Sequence, residues 1–199
     1  MAAMEQQPRF KLYYWPEFPG RGELIRLLFA ETNTPFDDVF RDLSFEKAKE
    51  FCYGSNKFFA VPAIEDTMNE NLCLSQSCVI MRYLAERCDG GRLYPTNTND
   101  GYKAEVLMQD AADLLAEGCA AWHAIDYNGS YGEQAEATRP FIEHFVNSRL
   151  PKWVNRFNTV LKNNNSNYTI NSDEPLYFVG DSLSYADLAI FQVNSIAVI

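Results

Sequence analysis

Two short stretches of this chain carry side chains whose types and spacing could do chemistry. The first is Tyr13-Tyr14-Trp15, followed after Pro16, Glu17, Phe18 and Pro19 by Gly20-Arg21-Gly22. A phenol hydroxyl donates a hydrogen bond that favours a nearby anion, although an aromatic on a strand is more often an amphipathic core residue. The second stretch is Ser75-Gln76-Ser77, at the head of an apolar run. A helix N-terminus has unpaired N–H groups and the positive end of the dipole, so such residues can hold a carboxylate or simply cap their own helix. Other chemistries are poorly served. The five cysteines, Cys52, Cys73, Cys78, Cys88 and Cys119, are odd in number and form no C-x-x-C pair. A chain of this size does not need disulfide staples, so they read as free thiols in a reducing compartment. His123 and His144 are too isolated to build a metal site with each other or with the cysteines, and no Gly-rich phosphate loop is present.

Composition narrows the partners. With 27 acidic against 17 basic residues the formal charge is −10, and such a surface repels phosphate backbones and anionic membranes. Neither a nucleic-acid nor a membrane partner is expected, and an anionic ligand would need a local positive site. No basic region followed by an apolar stretch opens the chain, and no apolar run approaches the ~20 residues of a membrane span. The expectation is a soluble, cytoplasmic protein. Sequons at Asn128, Asn164 and Asn167 then read as chance.

The elements that must position the reactive stretches follow from periodicity and punctuation. Alternating bulky residues over 9–15, halted by Pro16, Pro19 and Gly20, predict a strand and a loop. Leu24, Ile25, Leu27 and Leu28 predict a helix over 21–32, with a second strand at 36–40. A short helix capped by Ser44 is expected over 44–51. Strands are expected at 60–64 and 72–74, separated by a polar turn over 65–71, then a helix capped by Ser75 and running to Cys88. The order is β-α-β-α-β-β-α over 8–88, and 89–99 reads as a linker. Helices are expected over 101–124, 131–146, 151–162 and from 185 onward, with an Asn-rich loop over 163–174. Ser184 and Asp187 form an S-x-x-D capping box. The fold class is therefore α/β followed by all-α.

A β-α-β-α-β-β-α unit with proline at its third strand resembles the thioredoxin fold. The loop after its first strand holds no cysteine, which disulfide exchange requires. The residues standing there resemble the cytosolic glutathione transferase family. Four segments carry the likeness: Lys11-Leu12-Tyr13-Tyr14-Trp15 with Gly20-Arg21-Gly22-Glu23-Leu24-Ile25-Arg26-Leu27; Ala60-Val61-Pro62-Ala63-Ile64; Leu74-Ser75-Gln76-Ser77 through Leu84; and Gly180-Asp181-Ser182-Leu183-Ser184 through Asp187. The pattern is most like the tyrosine-type, sigma-like members.

The resemblance implies that Tyr14 activates glutathione as a thiolate, with Tyr13 as the neighbouring alternative. It implies a carboxylate site at Gln76 and Ser77 and a cis Pro62 that turns the backbone of Val61 toward the ligand. Lys49, the aromatic Phe45 and Arg21 are implied in glutathione binding, and Asp113, or alternatively Asp110, in a contact across a homodimer. Trp15, Phe18, Met108 and Leu115 are implied to line the pocket of a small hydrophobic electrophile. No cofactor is needed, since glutathione is a co-substrate. A detoxifying conjugation is the implied activity; isomerisation or peroxide reduction by the same thiolate, and a non-catalytic ligand-binding or structural role, are the alternatives. Members of the family carry further helical residues beyond the point corresponding to Ile199, so a truncated end to the helical domain (100–199) is one reading of the sequence.

Overall fold

The computed structural model describes residues 8–55, 57–166 and 175–196. The chain divides between Tyr94 and Pro95 into two compact units. In the first, strands β1 (Phe10–Tyr13), β2 (Phe36–Asp38), β3 (Ala63–Asp66) and β4 (Leu72–Ser75) form one sheet in the order β2-β1-β3-β4. β2 runs parallel to β1, while β3 is antiparallel to both β1 and β4. Helices α1 (Gly20–Glu31), α2 (Phe45–Ser55) and α3 (Ser77–Ala85) complete this unit.

Strand alternation assigns each residue to a side of the sheet. Phe10 and Leu12 share one face, and their partners Asp66 and Ile64 stand beside them. With Leu24, Ile25, Leu28 and Phe29 of α1 and Ile80, Met81 and Leu84 of α3, the apolar ones are buried, and α1 packs along α3. Tyr13 and Ala63 belong to the other face, in a cluster with Phe40 and with Ala48 and Cys52 of α2. The Ser44 cap is present: its hydroxyl accepts from the Lys47 N–H at 3.4 Å.

The third strand starts three residues later, and ends two residues later, than the pattern predicts. The Val61–Pro62 bond is cis and stays outside the ladder. Glu65 and Asp66, expected in a polar turn, are instead buried strand residues. Each is compensated, as a buried charge must be. Glu65 accepts from the Tyr13 hydroxyl at 3.1 Å and from the ammonium groups of Lys11 and Lys57 at 3.3 and 3.0 Å. Asp66 accepts from Arg9 Nε at 2.8 Å, the Tyr83 hydroxyl at 2.9 Å and the Met68 N–H at 3.1 Å. Ser75, expected to cap α3, ends β4, and Gln76 takes the cap position. Within 89–99 the chain is partly regular: a 3-10 turn covers Cys88–Gly91, and Asn97 caps the next helix through the N–H groups of Asn99 and Asp100.

The second unit is helical. α4 (Thr98–Trp122) packs against α5 (Tyr131–His144) and α7 (Tyr185–Ile196). The expected break between helices at 131–146 and 151–162 is not a loop. A π-type turn at Phe145–Arg149 joins α5 directly to α6 (Leu150–Asn164). The wider turn absorbs the backbone position where Pro151 offers no N–H. The inner stripe of α4, Ala104, Leu107, Met108, Ala111 and Leu114, repeats every three to four residues and is buried.

Asp187 accepts from the Ser184 N–H at 2.9 Å, the Ser184 hydroxyl at 2.6 Å and the Phe178 N–H at 2.8 Å. The capping box is thus present, with the hydroxyl turned onto the carboxylate. Asn164 donates to the carbonyls of Tyr177 and Gly180 at 2.9 and 2.8 Å, which fixes the end of α6. Asn167, the Asn-rich stretch 167–174 and the terminal 197–199 lie outside the described residues. Among the described residues no disulfide joins any of the five cysteines.

Two expectations follow. Asp187→Ala strips three donors of their acceptor and lowers stability by about 2–3 kcal/mol, seen as a lower urea midpoint. Burial pushes the Asp66 carboxyl up, but Arg9, Tyr83 and the Met68 N–H outweigh it and hold it below the usual carboxylate range. Its contribution is present above the unfolded value of about 4 and is lost as pH falls through the folded value. An Asp66→Asn variant is therefore less stable at neutral pH and loses less stability on acidification, measurable by thermal melts across the acid range.

Candidate functional site

Register decides what comes together in the first unit. Tyr13 on β1, Ala63 on β3 and Ser75 on β4 stand in one row across the sheet. Neighbouring strands are ~4.8 Å apart. Residues just beyond that row therefore leave the sheet at one end: Tyr14 after β1, Val61 and Pro62 before β3, Gln76 and Ser77 after β4. Parallel β2 places Asp38 opposite Leu12, near the same end.

Tyr14 is 7% exposed, and its hydroxyl accepts a hydrogen bond from the backbone N–H of Arg21 at 2.9 Å. The ring lies directly on the first turn of α1. A Cβ on Gly20 would stand 2.2 Å from the Tyr14 hydroxyl, and one on Gly22 2.4 Å from the ring. No side chain fits at either position, and Gly20 also has φ +36°. Burial pushes the Tyr14 hydroxyl up; the Arg21 N–H and the charges of Arg21 and Arg26 pull it part of the way back. The phenol is therefore neutral at physiological pH, accepts one bond and retains its own proton as a donor.

Tyr13 is placed differently. Its ring packs among Phe40, Phe51 and Phe58, and its hydroxyl donates to Glu65 Oε2 at 3.1 Å. Burial, then the Glu65 charge, raises its ionisation far above the ordinary tyrosine value. Trp15 is half-buried and meets Phe45 of α2 at 5.1 Å between ring centroids; Phe18 lies 6.4 Å from the same Phe45 ring. Phe18 and Phe45 are exposed, so the three rings form an accessible aromatic surface.

At the head of α3, Ser77 is buried and Gln76 is exposed with φ 74° and ψ 113°. That conformation lies outside the left-handed basin and costs about 1–3 kcal/mol, a strain concentrated where backbone must present its polar groups. No side chain at the cap position bonds the helix start, and the first helical bond runs from the Ile80 N–H to the Gln76 carbonyl at 3.0 Å. Arg21 is half-buried and meets Tyr14 through its backbone. Lys49 is exposed on α2, one turn after Phe45.

In the helical unit, Asp113 is exposed on α4, whereas Asp110 is bound by Arg156 at 3.0 Å. Met108 is buried in the inner stripe and Leu115 is half-buried. Among the described residues no group of histidine, cysteine or carboxylate side chains could hold a metal ion, and no helix is long and apolar enough to cross a membrane.

Sequence reasoning passed over Gly20 and Gly22 as contacts of Tyr14, although two glycines flanking Arg21 at a helix start are a legible sign of close backbone approach. It also assigned no role to Arg26 or Asp38, whose pairing no local signal records.

A thioredoxin-like unit carrying a tyrosine at the end of β1 and a strained residue at the head of α3, followed by a helical unit, is the architecture of glutathione S-transferases. The glutathione S-transferase N-terminal domain matches residues 8–86, and the C-terminal domain matches residues 122–197. The glutathione S-transferase of Plasmodium yoelii yoelii is 32% identical over 183 residues, 87% of this chain and 71% of that protein. That of Plasmodium falciparum (isolate 3D7) is 32% identical over 189 residues, 92% and 77% of the two chains. Among solved structures, prostaglandin synthase D of Nilaparvata lugens superposes with a TM-score of 0.72 at 22% identity, covering 95% of this chain and 81% of the other. The chain belongs to the glutathione S-transferase family and is an enzyme of that family.

The glycine cradle gives a direct expectation. Gly22→Ala forces the Tyr14 ring or α1 to move and costs about 1–3 kcal/mol, read as a lower urea midpoint than that of wild type.

Proposed function

We propose that the protein ionises reduced glutathione at Tyr14 and adds the sulfur to small hydrophobic electrophiles. The observation that carries this reading is the Tyr14 hydroxyl: buried, neutral, held by the Arg21 N–H at 2.9 Å and still able to donate. A thiol of ordinary pKa ~8.5 is only a few per cent thiolate at neutral pH. Lowering that value by about two units takes roughly 2.7 kcal/mol, which a charge-assisted hydrogen bond in a partly dry site supplies. The thiol proton leaves to solvent, the carbon–sulfur bond forms, and an aryl halide substrate releases its halide.

The remaining groups have matching tasks. The N-terminus of α3 at Gln76 and Ser77 receives the γ-glutamyl carboxylate. Val61, preceding cis Pro62, offers its backbone to the cysteinyl residue as an added strand would. Lys49 beside Phe45 meets the glycyl carboxylate, with Arg21 contributing positive charge near the sulfur. Trp15 and Phe18 supply an apolar surface for the electrophile. In a homodimer, Asp113 is the carboxylate of α4 with an exposed position from which to reach a neighbouring copy's ligand, since Asp110 is taken by Arg156.

The test is conjugation of glutathione to a chromogenic aryl halide from about pH 6 to about pH 9, comparing wild type with Tyr14→Phe. The variant loses about 100-fold in kcat/KM at the acid end, the equivalent of two pKa units, and recovers partly in alkali as the thiol ionises unaided. A wild type that binds immobilised glutathione yet turns over no electrophile would favour a ligand-binding role instead.

A further inference from the structure

Arg26 lies on α1 and was given no role by the sequence, yet its guanidinium is where four parts of the first unit meet. Its Nε donates to Asp38 Oδ2 on β2 at 2.7 Å. Its Nη1 donates to the Phe18 carbonyl in the loop at 3.4 Å and to Glu23 Oε2 at 3.3 Å. Its central carbon stands 5.8 Å from the centroid of the Tyr14 ring. The side chain is only 21% exposed and Asp38 only 9%, so the pair is poorly screened by water. Asp38 Oδ1 is buried with no hydrogen-bond partner among the described residues, which leaves its charge to be balanced mainly by Arg26.

We propose that Arg26 is the positioning residue of the thiol-activating step, holding the Phe18 loop and presenting a fixed cation to the face of Tyr14. The proposal rests on the reading of Tyr14 as the activating group. A planar fork suits this task, because it can anchor on a strand carboxylate and a loop carbonyl while its charge stays over the ring. A cation over an aromatic face stabilises negative charge building on the phenol and so makes its hydroxyl a stronger donor. The charges that act on the hydroxyl are those of Arg21 and Arg26 on α1, and Glu23 and Asp38 are bonded to Arg26. Of these, Arg26 has its guanidinium both over the ring and fixed at a distance by a buried partner. Burial alone would lower the ionisation of Arg26; Asp38 and Glu23 raise it further, so it remains charged wherever the enzyme works.

The experiment is ultraviolet titration of the thiolate of bound glutathione, with kcat/KM for an aryl halide, in wild type, Arg26→Gln, Arg26→Lys and Tyr14→Phe. Arg26→Gln is expected to raise the apparent pKa of the bound thiol and to lower kcat/KM below that pKa by about three- to tenfold, the range of a cation–aromatic contact. Arg26→Lys recovers part of the loss, since it keeps the charge without the fork. If Arg26→Gln does not fold because Asp38 is left buried and unpaired, the double variant Arg26→Gln with Asp38→Asn removes both charges and must show the same rise. A folded variant whose bound thiol titrates as in wild type overturns the proposal, even if its melting temperature falls. In that case a clear shift in Tyr14→Phe leaves the Tyr14 reading standing, whereas no shift in either variant removes both.

Discussion

The approach of the Tyr14 ring to the backbone of α1 governs the arrangement of the first unit. A buried phenol must find a hydrogen-bond partner, and here it is the Arg21 N–H at 2.9 Å, one of the groups a helix start leaves without an internal acceptor. Meeting it requires the ring to lie on Gly20 and Gly22, which accept it only because neither has a side chain. The same contact sets where α1 begins and how the loop from Trp15 to Pro19 must run. Trp15 and Phe18 then meet Phe45, so the loop is tied to the start of α2 as well.

That geometry needs a rigid sheet behind it, and two adjacent carboxylates on β3 help to supply it. Glu65 serves the face of Tyr13 and Lys11, while Asp66 serves the opposite face with Arg9 and Tyr83. Buried pairs of this kind add little net stability when intact but exact a large cost when one partner is removed. They favour a single register, because a slip of one residue would put each carboxylate on the wrong face. The register in turn brings Tyr14, Pro62 and Gln76 to one end of the sheet. Tyr13 and Tyr14, adjacent in sequence, are thereby separated in role: one hydroxyl is tied to Glu65, the other to the head of a helix.

The helical unit is ordered by similar means. Asp187 holds two backbone N–H groups and a hydroxyl at the start of α7, and Asn164 spans from the end of α6 to two carbonyls of the segment that precedes α7. The turn at Phe145–Arg149 lets α5 continue into α6 past Pro151. On α4 the carboxylates of Asp110 and Asp113, three residues apart, differ in that Arg156 binds the first.

Much of this was legible in the linear pattern. Helix and strand order followed from apolar spacing and from punctuation by proline and glycine; the S-x-x-D box announced α7; Tyr14-Trp15, Val61-Pro62 and Gln76-Ser77 marked the candidate site. Such features depend on near neighbours and on local backbone preference, which a sequence records. The placement of β3 was not legible, because Glu65 and Asp66 read as turn residues until their cations, far away in the chain, are brought beside them. The continuity of α5 and α6 was hidden for a related reason: a proline forbids one hydrogen bond, and only the surrounding helices determine whether the chain breaks or widens its turn there. The different partners of the Tyr13 and Tyr14 hydroxyls, the pairing of Asp110 with Arg156, and the position of Arg26 over the Tyr14 ring were likewise set by tertiary structure. In each case the partner lies on another element or beyond a loop, and only folding brings it into contact.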